Sequence, residues 1–107
     1  MEIRITSRHE KASQSLQDTI TAELNKIEKY SEKISSCHVI LDTEFLKKKV
    51  EITMHALGRE VVGTAKAENV GKAFDAALAK VERQLKKINE KIKDHKHTVV
   101  TGKNRGG

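Results

Sequence analysis

The stretch KVERQLKKINEKIK, residues 80–93, combines an apolar helical repeat with a dense set of basic residues. Its apolar residues recur every three or four positions and are Val81, Leu85, Ile88 and Ile92. At about 100° of rotation per residue, these side chains fall on one side of an α-helix. The repeat continues upstream to Val70, after the good N-terminal cap Asn69. We therefore predict a helix of about six turns that ends near Lys93 and packs one face on a core.

The polar side of this predicted helix is mainly basic on one flank. Beside the apolar stripe lie four cations and one amide, namely Lys80, Arg83, Gln84, Lys87 and Lys91. Several of these cations are i,i+3 or i,i+4 neighbours, where like charges repel by about 0.2–0.5 kcal/mol per pair. Phosphate groups from a partner would relieve this repulsion, so the pattern favours an anion-binding surface over an ordinary solvated face. Lys86 lies on the opposite flank and is a further candidate.

The excess charge is concentrated in the same part of the chain. The whole chain carries +6; residues 1–69 hold 11 basic and 11 acidic residues, whereas residues 70–107 hold 10 basic and 4 acidic residues. A one-sided basic excess indicates a phosphate-rich or acidic partner, with simple solubility as the alternative.

Length and composition limit the class of protein. The 107 residues fit one domain, and with 36% apolar and 3% aromatic residues the core must be aliphatic. The single cysteine, Cys37, excludes an internal disulfide and fits a cytoplasmic protein. No apolar run approaches the roughly 18 residues of a membrane span, so we expect no membrane association.

Residues with catalytic or metal-binding chemistry are scattered along the chain. The sequence contains no phosphate-binding glycine loop, no HExxH and no nucleophile elbow. His95 and His97 form at most an adventitious metal pair. We therefore expect a protein that is not an enzyme and that uses no cofactor, no metal and no small-molecule substrate.

The residues before this helix show alternation and helical repeats. Apolar residues recur at helical spacing from Leu16 to Ile27, after the candidate cap Ser13. Alternating patterns typical of strands cover residues 2–6, 36–42, 47–57 and 60–67. The predicted order of elements is therefore β-α-β-β-β-α.

This order predicts an α+β fold. Two helices packed on one face of a four-stranded, mainly antiparallel sheet would bury both apolar stripes, an arrangement like that of double-stranded RNA-binding domains. We expect this domain to cover residues 1–95 and a flexible tail to cover residues 96–107, where the periodicity ends.

Two smaller basic groups have competing explanations. The first, at the end of the first predicted helix, consists of Lys26, Lys29 and Lys33, and cations there also complement the helix dipole. The second, Lys47–Lys49, opens a predicted strand, where lysines also discourage unwanted edge pairing. Either group could instead contact RNA.

The aromatic residues indicate which kind of RNA would bind. Tyr30, Phe45 and Phe74 are the only aromatic residues, and Phe74 belongs to the apolar stripe. A protein that holds single strands by stacking normally has more. Structured RNA, recognised through phosphate, 2′-OH and shape, fits better.

Two segments resemble the ribosome hibernation-promoting factor family, also called ribosome-associated inhibitors or sigma-54 modulation proteins. ITSRHEKAS, residues 5–13, is similar to the opening of that family. AENVGKAFDAALAKVERQLKKINEKIKDH, residues 67–95, is similar to its more diagnostic helix. The resemblance covers residues 1 to about 95. At 107 residues, the chain looks like a short form or an isolated N-terminal domain of the family.

The resemblance implies binding to the small ribosomal subunit, in the channel for mRNA and tRNA, and inhibition of translation by steric occlusion. Carried over by position, it implies contacts with 16S rRNA from Lys80, Arg83, Gln84, Lys87 and Lys91, with Arg8, Lys26 and Lys29 as further candidates. It also implies a monomer off the ribosome. A general double-stranded RNA-binding module is the main alternative, and a protein that modulates a sigma factor is another.

Overall fold

Six elements follow one another in the predicted order. They are β1 (Glu2–Ser7), α1 (Gln14–Tyr30), β2 (Ile34–Glu44), β3 (Lys47–Ala56), β4 (Arg59–Ala67) and α2 (Val70–Thr101). The structure is a computed structural model that describes the backbone of residues 1–9, 11–30 and 33–101 and the side chains of residues 1–9, 11–28 and 33–90. The predicted α+β class and element order are confirmed.

The four strands form one sheet in the order β1-β2-β3-β4. β1 runs parallel to β2, which α1 makes possible by crossing between them. The β2–β3 and β3–β4 hairpins are antiparallel, so the sheet is mainly antiparallel as predicted. β3 pairs on both sides, so the interpretation of Lys47–Lys49 as protection of a sheet edge is wrong.

Both helices bury apolar side chains against one face of this sheet, and Ile88 at the far end of the described stripe is half-buried. The sheet contributes alternate aliphatic residues that are almost fully buried, among them Val39, Leu41, Val50, Ile52, Met54 and Val61. The helices contribute Ile20, Leu24 and Ile27 from α1 and Phe74, Leu78, Val81 and Leu85 from α2. Cys37 belongs to this core, and burial raises the pKa of its thiol to about 12. The thiol is therefore neutral and acts as a small apolar side chain.

The predicted helix caps are confirmed, whereas the predicted end of α2 is wrong. Ser13 Oγ accepts a hydrogen bond from the Leu16 backbone at 3.1 Å, and Asn69 Oδ1 accepts one from the Lys72 backbone at 2.8 Å. α2 continues to Thr101, past the predicted end near Lys93, because no proline or glycine lies between Gly71 in its first turn and Gly102. The flexibility expected of residues 96–107 stays a prediction. No helix in the described residues is long and apolar enough to cross a membrane.

Candidate nucleic-acid interface

Gly63 allows α2 to lie directly on β4. A Cβ atom at this position would overlap the carbonyl oxygen of Ala77 and would lie 2.9 Å from Cγ2 of Val81. Only a hydrogen atom fits between the strand and the helix backbone. This close approach brings the flank of α2 that follows Ala77 over the free edge of the sheet.

Two residues of that flank hydrogen-bond to the exposed edge of β4. Lys80 Nζ donates to the carbonyl oxygen of Thr64 at 2.6 Å, and Gln84 Nε2 donates to that of Val62 at 2.7 Å. These bonds occupy carbonyl groups that an edge strand would otherwise offer to another chain. Lys80 and Gln84 were predicted as RNA contacts, and the structure gives both of them a role in the fold that the sequence pattern did not reveal.

The other two described cations of the flank face solvent. Arg83 and Lys87 lie one turn apart, and both side chains are exposed. We call the set Lys80, Arg83, Gln84 and Lys87 the α2 basic flank. Lys80 and Lys87 are about 10 Å apart along the helix axis, at 1.5 Å per residue. The structure thus brings these four sequence-predicted residues together on one surface.

The cations of α2 whose side chains are described lack carboxylate partners within the described part of the chain. Among residues 1–9, 11–28 and 33–90, no ion pair involves Lys80, Arg83, Lys86 or Lys87. Glu82 and Glu90 each lie four residues from Lys86 and lower its local positive potential, and Glu90 also lies three residues from Lys87. Lys80 and Arg83 have no acidic residue at these helical spacings, so the least compensated charge lies on the α2 basic flank.

Arg8 and Lys26 lie elsewhere and already have acidic neighbours. Lys26 Nζ is 3.0 Å from a carboxylate oxygen of Glu23 in the preceding turn of α1. Arg8 follows β1, three strands from β4, and its guanidinium is 3.7 Å from a carboxylate oxygen of Asp42. At about 4.8 Å between strands, Arg8 is separated from the β4 edge by roughly 14 Å.

Asp42 is held in its ionised form by its surroundings. Its carboxylate accepts a hydrogen bond from the Thr43 backbone at 2.7 Å and contacts the ring of His9. The Thr43 bond, together with His9 and Arg8, holds the pKa of Asp42 below its usual range. The charge of Arg8 is therefore offset by a carboxylate that stays negative.

The lysines near the β2–β3 hairpin are likewise paired. Lys66 and Lys49 contact the two carboxylate oxygens of Glu44 at 2.6 and 3.3 Å. Hydrogen bonds from Lys66 and Lys49 lower the pKa of Glu44. This part of the sheet thus has basic residues whose charge the fold itself partly neutralises.

The hairpin between β2 and β3 presents the feature that sequence reasoning missed. Phe45 and Leu46 form its two-residue loop and are 99% and 94% exposed. Phe74 is buried in the core, as predicted. A signal was available, because two bulky apolar residues between alternating runs break the usual polar turn chemistry.

Two predicted contacts and the candidate metal pair lie outside the described side chains. Lys29 and Lys91 belong to α1 and α2, but their side chains are not described, nor are those of His95 and His97. Among the residues with described side chains, no group of three or more His, Cys, Asp or Glu could hold a metal ion.

Fold and surface together define a small α+β protein with a basic helix laid along a sheet edge, a class suited to contact with an anionic polymer. Residues 3–93 match the Sigma 54 modulation protein / S30EA ribosomal protein family. The chain therefore belongs to this family, as the resemblance indicated.

Curated relatives carry a functional name. A Pseudomonas putida protein named ribosome hibernation promoting factor is 38% identical over 91 residues, which cover 85% of this chain and 89% of the relative. A protein of the same name from Escherichia coli K12 is 30% identical over 95 residues, which cover 89% of this chain and 100% of the relative.

Solved structures agree with the fold. A ribosomal subunit interface protein from Coxiella burnetii superposes with a TM-score of 0.79 at 27% identity, over 84% of this chain and 99% of that one. The N-terminal domain of Thermus thermophilus Protein Y gives a TM-score of 0.76 at 21% identity, over 82% of this chain and 99% of that one. The second likeness shows the fold alone.

Proposed function

We propose that this protein is a ribosome hibernation factor that binds the small ribosomal subunit through the α2 basic flank. The observation that carries the proposal is that Arg83 and Lys87 are exposed and have no carboxylate partner among the described residues. Membership of the family and the names of the Pseudomonas putida and Escherichia coli relatives support the ribosome as the partner.

In this proposal the protein inhibits translation by steric occlusion and catalyses no chemical step. Basic side chains that neutralise phosphates release the counterions condensed on RNA, and this release favours binding. Lys80 uses one of its three N–H groups to donate a hydrogen bond to Thr64, so two N–H groups remain for a phosphate of 16S rRNA. The hydrogen bonds of Lys80 and Gln84 also fix the helix on the sheet, so little order has to be gained on binding. A protein seated in the channel for mRNA and tRNA would block translation.

The remaining predicted contacts take secondary positions in this proposal. Lys86 reaches RNA from the opposite flank of α2, while Arg8 and Lys26 give weaker contacts because each already has a carboxylate neighbour. Lys29 and Lys91 stay predicted contacts, since their side chains lie outside the described residues. We also propose a monomer off the ribosome, which agrees with the few large apolar side chains exposed in the described residues, namely Phe45, Leu46 and Val62.

Co-sedimentation with purified small subunits tests the proposal. The subunits are used empty, or with mRNA and initiator tRNA already bound in the channel. We expect binding to the empty subunits and loss of binding when the channel is filled. Equal binding to both forms would exclude occlusion, and no binding to either would exclude the small subunit as the partner.

Free RNA duplexes separate the proposal from a general double-stranded RNA-binding module. Such a module recognises A-form shape, so it would bind a duplex about as well as a subunit. We expect clearly weaker binding to a 20-base-pair duplex than to small subunits at the same salt concentration.

A further inference from the structure

The tip of the β2–β3 hairpin exposes two large apolar side chains to water. Phe45 is 99% exposed and Leu46 is 94% exposed. The tip projects past both edge strands, since β1 pairs only as far as Ser7 with Leu41 and β4 only as far as Ala67 with Lys48. Nothing in the described part of the fold covers these two residues, which we call the hairpin tip.

The backbone of the hairpin tip is strained as well. Phe45 has a φ of 57°, in the left-handed region that bulky residues rarely adopt and that two-residue hairpins usually fill with glycine or asparagine. The β3–β4 hairpin has two left-handed positions, filled by Leu57 at a φ of 56° and by Gly58 at 73°. An aromatic residue in a glycine-like conformation, fully in water, has no explanation in the stability of the fold. Such strain is often retained for binding.

The surroundings of the hairpin tip are basic. Lys47 follows directly and is exposed, and Lys48, Lys49 and Lys66 are nearby, with Glu44 as the acid that Lys49 and Lys66 share. An aromatic ring among cations matches a nucleotide, which offers a flat base beside a phosphate. A bilayer would instead require a broad apolar face, and the tip has two apolar side chains.

The geometry points to a second RNA contact, in which Phe45 stacks on an unpaired base of the small-subunit RNA while Lys47 approaches the adjoining phosphate. This inference rests on the proposed function and adds a recognition element to it. The few aromatic residues led us to expect structured RNA as the partner, and that expectation stays. One aromatic ring at a projecting tip is enough to stack on one splayed base of such an RNA.

Substitutions of Phe45 test the stack through binding to purified small subunits. We expect Phe45→Ala to weaken binding by about 5- to 150-fold, the range measured for loss of one aromatic–base stack. Phe45→Trp should bind as well as the wild type, and Phe45→Leu should be as weak as Phe45→Ala. The salt dependence should not change, because Phe45 contacts no phosphate.

A folding control is available at the same position. Phe45→Gly suits the left-handed backbone, so its melting temperature should equal or exceed that of the wild type. Its binding should nevertheless be as weak as that of Phe45→Ala. Loss of binding in a variant of undiminished stability separates the stack from any effect on the fold.

Tryptophan fluorescence reports the contact directly. The chain has no tryptophan, so Phe45→Trp introduces a single reporter whose emission should be quenched when it stacks on a base. His55→Trp is the matched control, because His55 is exposed and lies at the opposite end of β3 from the hairpin tip. We expect quenching by small subunits at position 45 and little change at position 55.

Several outcomes would overturn the inference. Unchanged binding of Phe45→Ala, in a setting where the wild type binds, would reject the stack and leave the proposed function intact. Full binding by Phe45→Leu would mean that the hairpin tip enters an apolar pocket of a ribosomal protein. Quenching of Phe45→Trp that depends on protein concentration in the absence of ribosomes would mean that the hairpin tip mediates self-association. Absence of binding by the wild type would reject the proposed function together with the stack.

Discussion

The α2 basic flank and the outer part of the sheet both carry basic residues, but the fold treats them differently. Lys49 and Lys66 share the carboxylate of Glu44. Arg83 and Lys87 on α2 have no carboxylate partner among the described residues. A cation that the fold already neutralises has less attraction left for an external phosphate. A count of lysines therefore does not identify a binding surface, whereas the acidic neighbours of those lysines do.

The difference arises from what each element places beside its cations. In the sheet, the β2–β3 turn and the β3–β4 pairing bring Glu44 beside two lysines. On α2, helical spacing places Asp75 and Glu82 on the side away from the α2 basic flank.

Gly63→Ala should give the largest effect on stability. The added methyl group would meet the carbonyl oxygen of Ala77, and a helix backbone cannot move aside easily. We expect a loss of about 3 kcal/mol in the free energy of unfolding, the upper part of the usual range for overpacking. Thermal denaturation should show a melting temperature lower by about 12 °C or more.

Gly71→Ala is the matched control for that change. Gly71 lies in the first turn of α2, and an added Cβ would approach only Asn69 Oδ1, at 3.4 Å. Alanine favours a helix over glycine, so stability should stay equal or rise by up to about 1 kcal/mol. Equal losses for both alanine variants would mean that the close contact of α2 with β4 is not specific to Gly63.

Neutralising the unpaired cations should weaken binding far more than neutralising paired ones. We expect Arg83→Gln with Lys87→Gln to reduce affinity for small subunits by roughly 20- to 40-fold at about 0.10–0.15 M salt, from two lost phosphate contacts. Equilibrium sedimentation binding would measure the change. Both side chains are exposed and have no ion pair among the described residues, so the melting temperature should hardly change.

Arg8→Gln with Lys26→Gln is the control with the same change in net charge. Because both of these cations have carboxylate neighbours, we expect a reduction of less than about 5-fold, the value for one phosphate contact. An equal loss in both double variants would mean that total charge governs binding and that the location of the unpaired cations does not.

Gln84→Ala should have a smaller effect, on the fold. It removes the hydrogen bond to Val62 at the edge of β4. The bond is exposed to water, so we expect a loss of about 0.5–1 kcal/mol in the free energy of unfolding. Arg83→Ala, one residue away and without such a bond, should be close to neutral in the same chemical denaturation series.

The smallest expected effect is the loss of stability at acid pH that results from protonation of Glu44. The lowered pKa of Glu44 means that its ionised form stabilises the fold above its ordinary pKa, and that this stabilisation is lost as the pH falls below about 4. Glu44→Gln should therefore be less stable than the wild type at pH 7, and the difference should shrink as the pH falls below the ordinary pKa of a glutamate. Lys66→Gln removes the strongest partner and should reduce this pH dependence.

Most of the fold could be predicted from the sequence, because it rests on local patterns. Apolar residues at spacings of three and four predicted α2, and Ser13 and Asn69 predicted the caps. The end of α2 could not be predicted, because a helix without a breaker can continue beyond its apolar stripe. Family membership also followed from the resemblance of residues 67–95, since residues 3–93 match the family.

The grouping of the basic residues on one flank of α2 could be predicted from the sequence, but their contacts with β4 could not. Helical spacing grouped Lys80, Arg83, Gln84 and Lys87, yet the bonds of Lys80 and Gln84 to β4 depend on how closely Gly63 lets the helix approach. Pairing of Glu44 with Lys66 spans 22 residues of sequence and depends on the register of the sheet. Such long-range contacts have no local sequence signal.

The salt dependence of binding to small subunits tests the central claim most directly. Plots of log affinity against log salt concentration should be linear, with a slope that reports the number of phosphate contacts. For Arg83→Gln with Lys87→Gln, we predict a slope shallower than that of the wild type by about 1.4–1.8, at about 0.7–0.9 for each lost contact. An unchanged slope would show that the α2 basic flank does not face the RNA.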